Sequence, residues 1–365
     1  MRIGIIALLW MSEANWREHN DRGLAHYRSG NYTEARADFE RAIGEAAEPG
    51  FAAQSWNNLG AVHYQRGEFP EAERSYRKAL ALWAEVDRPA SLYATCRINL
   101  SVLLRQTGRL DEAGGEAQAA VSWLNSIGMR GISLASAHHS LGEINRMRED
   151  LDRATHHLTL AQRELEAAPD RGIEATILQS LGTVWQDRRR FDLAEPLQRK
   201  ALERFESLYG TGHALTAGAA ASLGQTLLSA NRLDEAEPYL HRALDAFERH
   251  YGPRHPRTAL ALNNVAQLAR ARSNFRVAEP LYRRAIDILR ETQGPKHPDT
   301  GRVLANLGAM FVQQGKTRGA EVLFREALAI SRGFQAAAVS EHLASLLEAQ
   351  RRYTEARRVR QSVAN

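Results

Sequence analysis

Three histidines, His213, His255 and His297, recur 42 residues apart. They stand in "YGTGHALT" (209–216), "YGPRHPRT" (251–258) and "QGPKHPDT" (293–300), each between a Gly-led turn and a Thr. Imidazoles ligate metals and move protons near neutral pH, so such a set could be a metal centre or a catalytic group. A single metal, however, needs its ligands within about 2 Å. If each histidine belongs to its own helix pair, stacking separates successive copies by about 18–20 Å, two layers at the usual interhelical distance. The three are therefore expected to be punctuation between repeating elements. His138-His139 and His156-His157 are adjacent pairs, and helix neighbours point about 100° apart. His139 and His157 could meet across one helix pair, but no carboxylate spacing completes a metal box. Cys96 is the only cysteine, which excludes an intrachain disulfide and a thiolate zinc site and points to a reducing compartment. No "GKS/T" phosphate loop occurs, and "SLG" at 140, 180 and 222 falls inside helical pattern. No catalytic, cofactor or metal residue is assigned, and the chain is read as a non-enzyme.

The elements that position these residues form a repeat. "WNNLGAVHYQRGEFPEAERSYRKAL" (56–80), "LNNVAQLARARSNFRVAEPLYRRAI" (262–286) and "LANLGAMFVQQGKTRGAEVLFREAL" (304–328) share one grid. A small residue is followed by Ala twelve positions on, a large residue four later and a further Ala three after that. The small residues are Gly23, Gly60, Ser101, Gly142, Gly182, Gly224, Ala266 and Gly308; a worn ninth unit carries Ala344 and Ala356. Apolar residues at −4, −1 and +3 from the small residue make one stripe of a 3.6-residue period. The small residue on that stripe lets a second helix approach. Gly in "RGE", "TGR" and "QGK" suits a left-handed helix end. Pro70, Pro196, Pro238 and Pro280 fall near the starts of second helices, where a missing N–H costs little.

This grid resembles the tetratricopeptide repeat family over about 15–365. The 42-residue period, the double Asn at 263–264 and the "GxxHPxT" linkers resemble the variant found in kinesin light chains and many bacterial scaffold proteins. The resemblance implies an all-α fold: a right-handed superhelical solenoid of antiparallel helix pairs, about eight units with a degenerate C-terminal cap. It also implies a scaffold or adaptor that binds an extended peptide segment of a partner in a concave groove. An alternative is a peptide-sensing regulator whose superhelix changes conformation on ligand binding.

In the family, the groove is lined by first-helix positions opposite the packing stripe. At −2 stand Asn58, Asn99, Asn264 and Asn306, among other small polar residues, and at +4 Arg105, Arg146 and Arg270. With Asn263 these are the candidate partner-binding residues. Carboxamides pair with the main chain of an extended peptide, and Arg offers a fork for a carboxylate. The partner is thus expected to be a protein or peptide of acidic character.

The bulk composition fits this reading. With 365 residues, 44% hydrophobic and 25% charged, the chain is too apolar for disorder. A net charge of +5 is small for the length, and no aromatic interleaving marks a nucleic-acid face. The longest apolar run, "IGIIALLWM" (3–11), is too short to span a bilayer as a helix, and a cytoplasmic location is expected. Residues 1–14 precede the first unit. Three readings stay open for them: a start assigned early with Met11 as the true start, a packed extension, or a short signal peptide. The C-terminal "RRYTEARRVR" (351–360) reads as the polar cap of the stack. The third unit, with Gly114 and Gly115 inside a helix, is expected to be the weakest.

Overall fold

The computed structural model of the chain describes residues 2–85, 90–331 and 333–363, and these are all-α. They hold eighteen helices and no strand, arranged as nine consecutive helix pairs. The chain divides into two compact units, 1–177 and 178–365. The first contains α1 (Arg2–Arg28), α2 (Tyr32–Glu45), α3 (Pro49–Gln65), α4 (Phe69–Ala84), α5 (Ala90–Gln106), α6 (Leu110–Ser126), α7 (Ile132–Met147) and α8 (Leu151–Ala167). The division falls within α9 (Arg171–Asp187). The second contains α10 (Phe191–Tyr209), α11 (Ala214–Ser229), α12 (Leu233–Tyr251), α13 (Pro256–Ala271), α14 (Phe275–Thr292), α15 (Pro298–Gln313), α16 (Thr317–Ile330), α17 (Gly333–Ala349) and α18 (Tyr353–Gln361). The apolar run 3–11 belongs to the backbone of α1; the side chains of 1–12 lie outside the described residues.

The small residues do the work that the grid implies. A Cβ added at Gly60 would lie 2.7 Å from the Tyr76 ring, at Gly224 2.6 Å from Leu240, and at Gly308 2.8 Å from Phe324. Each partner lies sixteen residues on, at the large position of the second helix. Interiors are close-packed, so the missing Cβ is the space that ring or isobutyl group occupies. Where Ser101 replaces the glycine, the facing position is Ala117, and both are fully buried. The paired alanines Ala35, Ala72, Ala113, Ala154, Ala194, Ala236, Ala278 and Ala320 are all fully buried.

Glycine closes the turn inside four of the pairs: Gly30, Gly67, Gly108 and Gly315 have φ of 80, 76, 78 and 72°. Elsewhere Glu149, Arg189, Asn231, Ser273 and Arg351 adopt the same left-handed conformation. The packed helix pair imposes it on a side chain that disfavours it. Pro70 is in the first turn of α4. Pro196, Pro238 and Pro280 lie deeper, at the sixth residue of α10, α12 and α14.

Candidate functional site

The repeated histidines are helix caps. His213, His255 and His297 precede α11, α13 and α15 in extended conformation. Their Nδ1 atoms accept from the backbone N–H of Leu215, Arg257 and Asp299 at 3.2, 3.1 and 3.2 Å. Each thereby satisfies an orphan donor of the first turn. Six residues before each of Thr216, Thr258 and Thr300 a glycine closes the previous helix with φ of 81, 89 and 89°. The Thr216 and Thr258 hydroxyls donate to the Gly210 and Gly252 carbonyls at 2.8 and 2.9 Å. The Thr300 hydroxyl is buried without a partner. The linker is thus a local hydrogen-bonded hinge-pin, and burial holds all three imidazoles below their usual pKa, in the neutral form that can accept.

The adjacent pairs meet differently from the spacing argument. His138, not His139, faces His157, with Nδ1 atoms 3.2 Å apart and stacked rings. Burial, then the neighbouring charges of His138, His156 and Arg153, push His157 down to about 4. No group of three or more His, Cys, Asp or Glu able to hold a metal occurs among the described residues. Cys96 is buried, and burial raises its thiol pKa, which keeps it a packing residue.

The candidate binding residues fall in both units. In the first, Asn58, Asn99, Arg105 and Arg146 are half-buried on α3, α5 and α7. Asn58 Nδ2 donates to Asn20 Oδ1 at 3.0 Å, and Asn99 Nδ2 to Asn57 Oδ1 at 3.1 Å. Asn20 and Asn57 are buried and occupy the −3 position of the preceding repeat. Arg105 and Arg146 flank one carboxylate, Glu143, at 3.7 and 3.4 Å. Their charge is thereby partly neutralised.

In the second unit the same carboxamide rung recurs. Asn306 Nδ2, on α15, donates to Asn263 Oδ1, on α13, at 2.9 Å, and Asn263 Nδ2 to Asn264 Oδ1 at 3.3 Å. Two repeats earlier, Gln179 Nε2 donates to Ser222 Oγ across the equivalent −3 and −2 positions at 2.9 Å. Asn263 is fully buried, so its contribution to a surface passes through Asn306 and Asn264. The sequence reading kept these residues off the packing stripe; the structure corrects it, because the −2 and −3 positions join consecutive first helices. The −3 partners Asn20, Asn57 and Gln179 are absent from the sequence-based set, although the doublets Asn57-Asn58 and Asn263-Asn264 carry the signal.

Arg270 is the exception among the arginines. It has no ion pair among the described residues, whereas its Nε, like those of Arg105 and Arg146, is buried without a hydrogen-bond partner. Beside it the Tyr282 hydroxyl is buried and unpartnered; burial raises that phenol's pKa and the Arg270 charge opposes the rise. On the preceding first helix, Gln225 Oε1 is likewise buried without a partner. Buried polar atoms are paired in all but a few cases, so the adjoining Arg270 Nε and Tyr282 hydroxyl each call for an explanation.

A family model described as tetratricopeptide repeat matches residues 51–114, 173–249, 219–291 and 259–333, more than half of the chain. A second model of the same description matches 16–45. No curated protein matches the sequence. Among solved structures, a Rap protein complexed with competence and sporulation factor is similar at TM-score 0.70 and 13% identity, covering 92% of this chain and 88% of that one. The Rap conjugation gene regulator of plasmid pLS20, in complex with the Phr* peptide, gives 0.62 and 16%, over 80% and 77%. The apo form of RapI gives 0.59 and 15%, over 76% and 98%.

Proposed function

The chain belongs to the tetratricopeptide repeat family, and from that premise we propose that it is a non-catalytic, protein-binding adaptor. It holds an extended, acidic peptide segment of its partner against the first helices of its repeats, in the concave groove that the family's architecture provides. The observation that carries this reading is Arg270, an unpaired guanidinium with a buried, unsatisfied Nε beside the unsatisfied Tyr282 hydroxyl. A carboxylate accepts two parallel bonds from such a fork. The free faces of Asn58, Asn99, Asn264 and Asn306 pair with the main chain of the bound segment, while Arg105 and Arg146 stay engaged with Glu143. We read repeats six to eight as the kinesin-light-chain-like variant, on their 42-residue spacing and histidine-capped linkers, and the protein as bacterial and cytoplasmic.

A second reading is a peptide-sensing regulator whose superhelix changes conformation on binding. It is favoured by the likeness of fold to the pLS20 regulator, whose structure is of a complex with the Phr* peptide. Capture of the partner, identification by mass spectrometry and calorimetry with purified components test the proposal. Arg270→Ala should weaken binding at least tenfold, since bonds to charged groups contribute about 1.5–3 kcal/mol. The loss should shrink at high salt, with the melting temperature unchanged. Binding that survives Arg270→Ala and Asn264→Ala undiminished would remove the groove from the account.

A further inference from the structure

A different edge of the second unit changes sign along the array. At the second residue of α6, α8, α10 and α12 stand Asp111, Asp152, Asp192 and Asp234. At the same place in α14 and α16 stand Arg276 and Arg318, and neither first turn contains an acid. The neighbouring position has changed in step. Asp111 pairs with Arg148 of the next repeat at 2.7 Å, and Asp234 with Arg272 at 2.6 Å. The residues equivalent to Arg148 and Arg272 in the following two repeats are Gln314 and Gln350. That exchange relieves repulsion but supplies no counter-charge. Arg276 and Arg318 are exposed and without an ion pair among the described residues, and so is Arg351 in the next turn. The other cations of these turns are engaged: Lys316 with Glu279 at 3.5 Å and Arg352 with Glu321 at 2.8 Å.

We propose that the edge bearing Arg276, Arg318 and Arg351 docks an acidic protein segment, separately from the first-helix face. Its carboxylates take the place that aspartates hold in earlier repeats and face the positive ends of α14 and α16, where arginine is electrostatically misplaced. Arg276 and Arg318 hold the same position in successive repeats, and Arg351 lies in the turn of the next. Glu279, Glu321 and Glu355 stand in the first turns of α14, α16 and α18 or just beyond them. Discrete acidic side chains match such a pattern. The continuous charge of a nucleic-acid backbone would run across those carboxylates.

The full chain should bind fluorescein-labelled poly-L-glutamate at low salt, measured by anisotropy. The double variant Arg276→Asp/Arg318→Asp should weaken binding at least tenfold and melt at a higher temperature, because it restores the acid at both helix starts. In the Arg270→Ala background, which silences the first-helix face, poly-L-glutamate should still bind, and the double variant should still weaken that binding tenfold. Absence of binding by the unaltered chain, or undiminished binding by the double variant, would overturn the proposal. So would complete loss of binding through Arg270→Ala alone, or tighter binding of a single-stranded oligonucleotide of equal charge.

Discussion

Two glycines of α11 should respond oppositely to the same substitution. Gly224 faces the second helix of its pair, and a Cβ there would lie 2.6 Å from Leu240 Cδ2 and 2.8 Å from its Cγ. Carbon atoms rest about 3.5–4.0 Å apart, so the methyl overlaps the leucine by about 1 Å. Overpacking of this kind costs about 1–3 kcal/mol. Alanine recovers about 1 kcal/mol of helix propensity, which leaves Gly224→Ala destabilising by up to about 2 kcal/mol. Gly218, six residues earlier, has nothing within 4 Å of its added Cβ. Gly218→Ala should therefore stabilise by about 0.4–1 kcal/mol. Leu240→Ala alone should cost about 2–5 kcal/mol, but in its background Gly224→Ala should become stabilising. That double variant reproduces the Ser101 and Ala117 arrangement of the third repeat. Urea unfolding followed by circular dichroism gives the totals. Amide exchange over 214–251 localises them, since stacked repeats need not unfold as one unit. If Gly224→Ala stabilises as much as Gly218→Ala, the close approach at Gly224 does not govern the packing of the pair.

Three further outcomes follow from the same geometry. His157, held at about 4 by burial and its neighbours, lies below the unfolded value of about 6.5. The unfolded chain then takes up the proton first, so this group's stabilisation is complete above about 6.5 and is lost as pH falls towards 4. His157→Gln should flatten the melting temperature between pH 7 and 4.5, and an unaltered slope would contradict the assignment. His255→Ala should cost about 0.5–2 kcal/mol through the lost cap while His255→Asn largely restores it; equal melts for the two would show that the cap carries nothing. The third repeat should exchange its amides first over 98–121, because Gly114 and Gly115 weaken α6, and uniform protection along the chain would refute that.

The helix pairs were legible because their determinants are local and repeated. Gly60 with Tyr76, or Gly308 with Phe324, is a sixteen-residue relation that recurs in each unit and can be read without coordinates. The histidine linkers were legible as punctuation, though not as caps, since which ring nitrogen accepts depends on backbone geometry. The site was less so. Asn263 and Asn306 lie 43 residues apart, and a helical wheel assigns them to separate positions without showing that stacking brings them together. The same limit explains the histidine pair: the crossing of α7 and α8 selects His138 over its neighbour. Glu143 between Arg105 and Arg146 was hidden for a related reason, because like spacing along the chain says nothing about a carboxylate shared across repeats.

Photo-crosslinking tests the adaptor reading most directly. A photoreactive residue placed at Gln267, on the first-helix face of α13, is compared with one at Arg283, on the second helix of the same pair. After irradiation in a lysate of the source cells, the crosslinked segments are mapped by mass spectrometry. The account predicts one recurrent, acidic, extended segment captured at Gln267, lost on adding Arg270→Ala, and not captured at Arg283. Capture at Arg283 with none at Gln267 would contradict it.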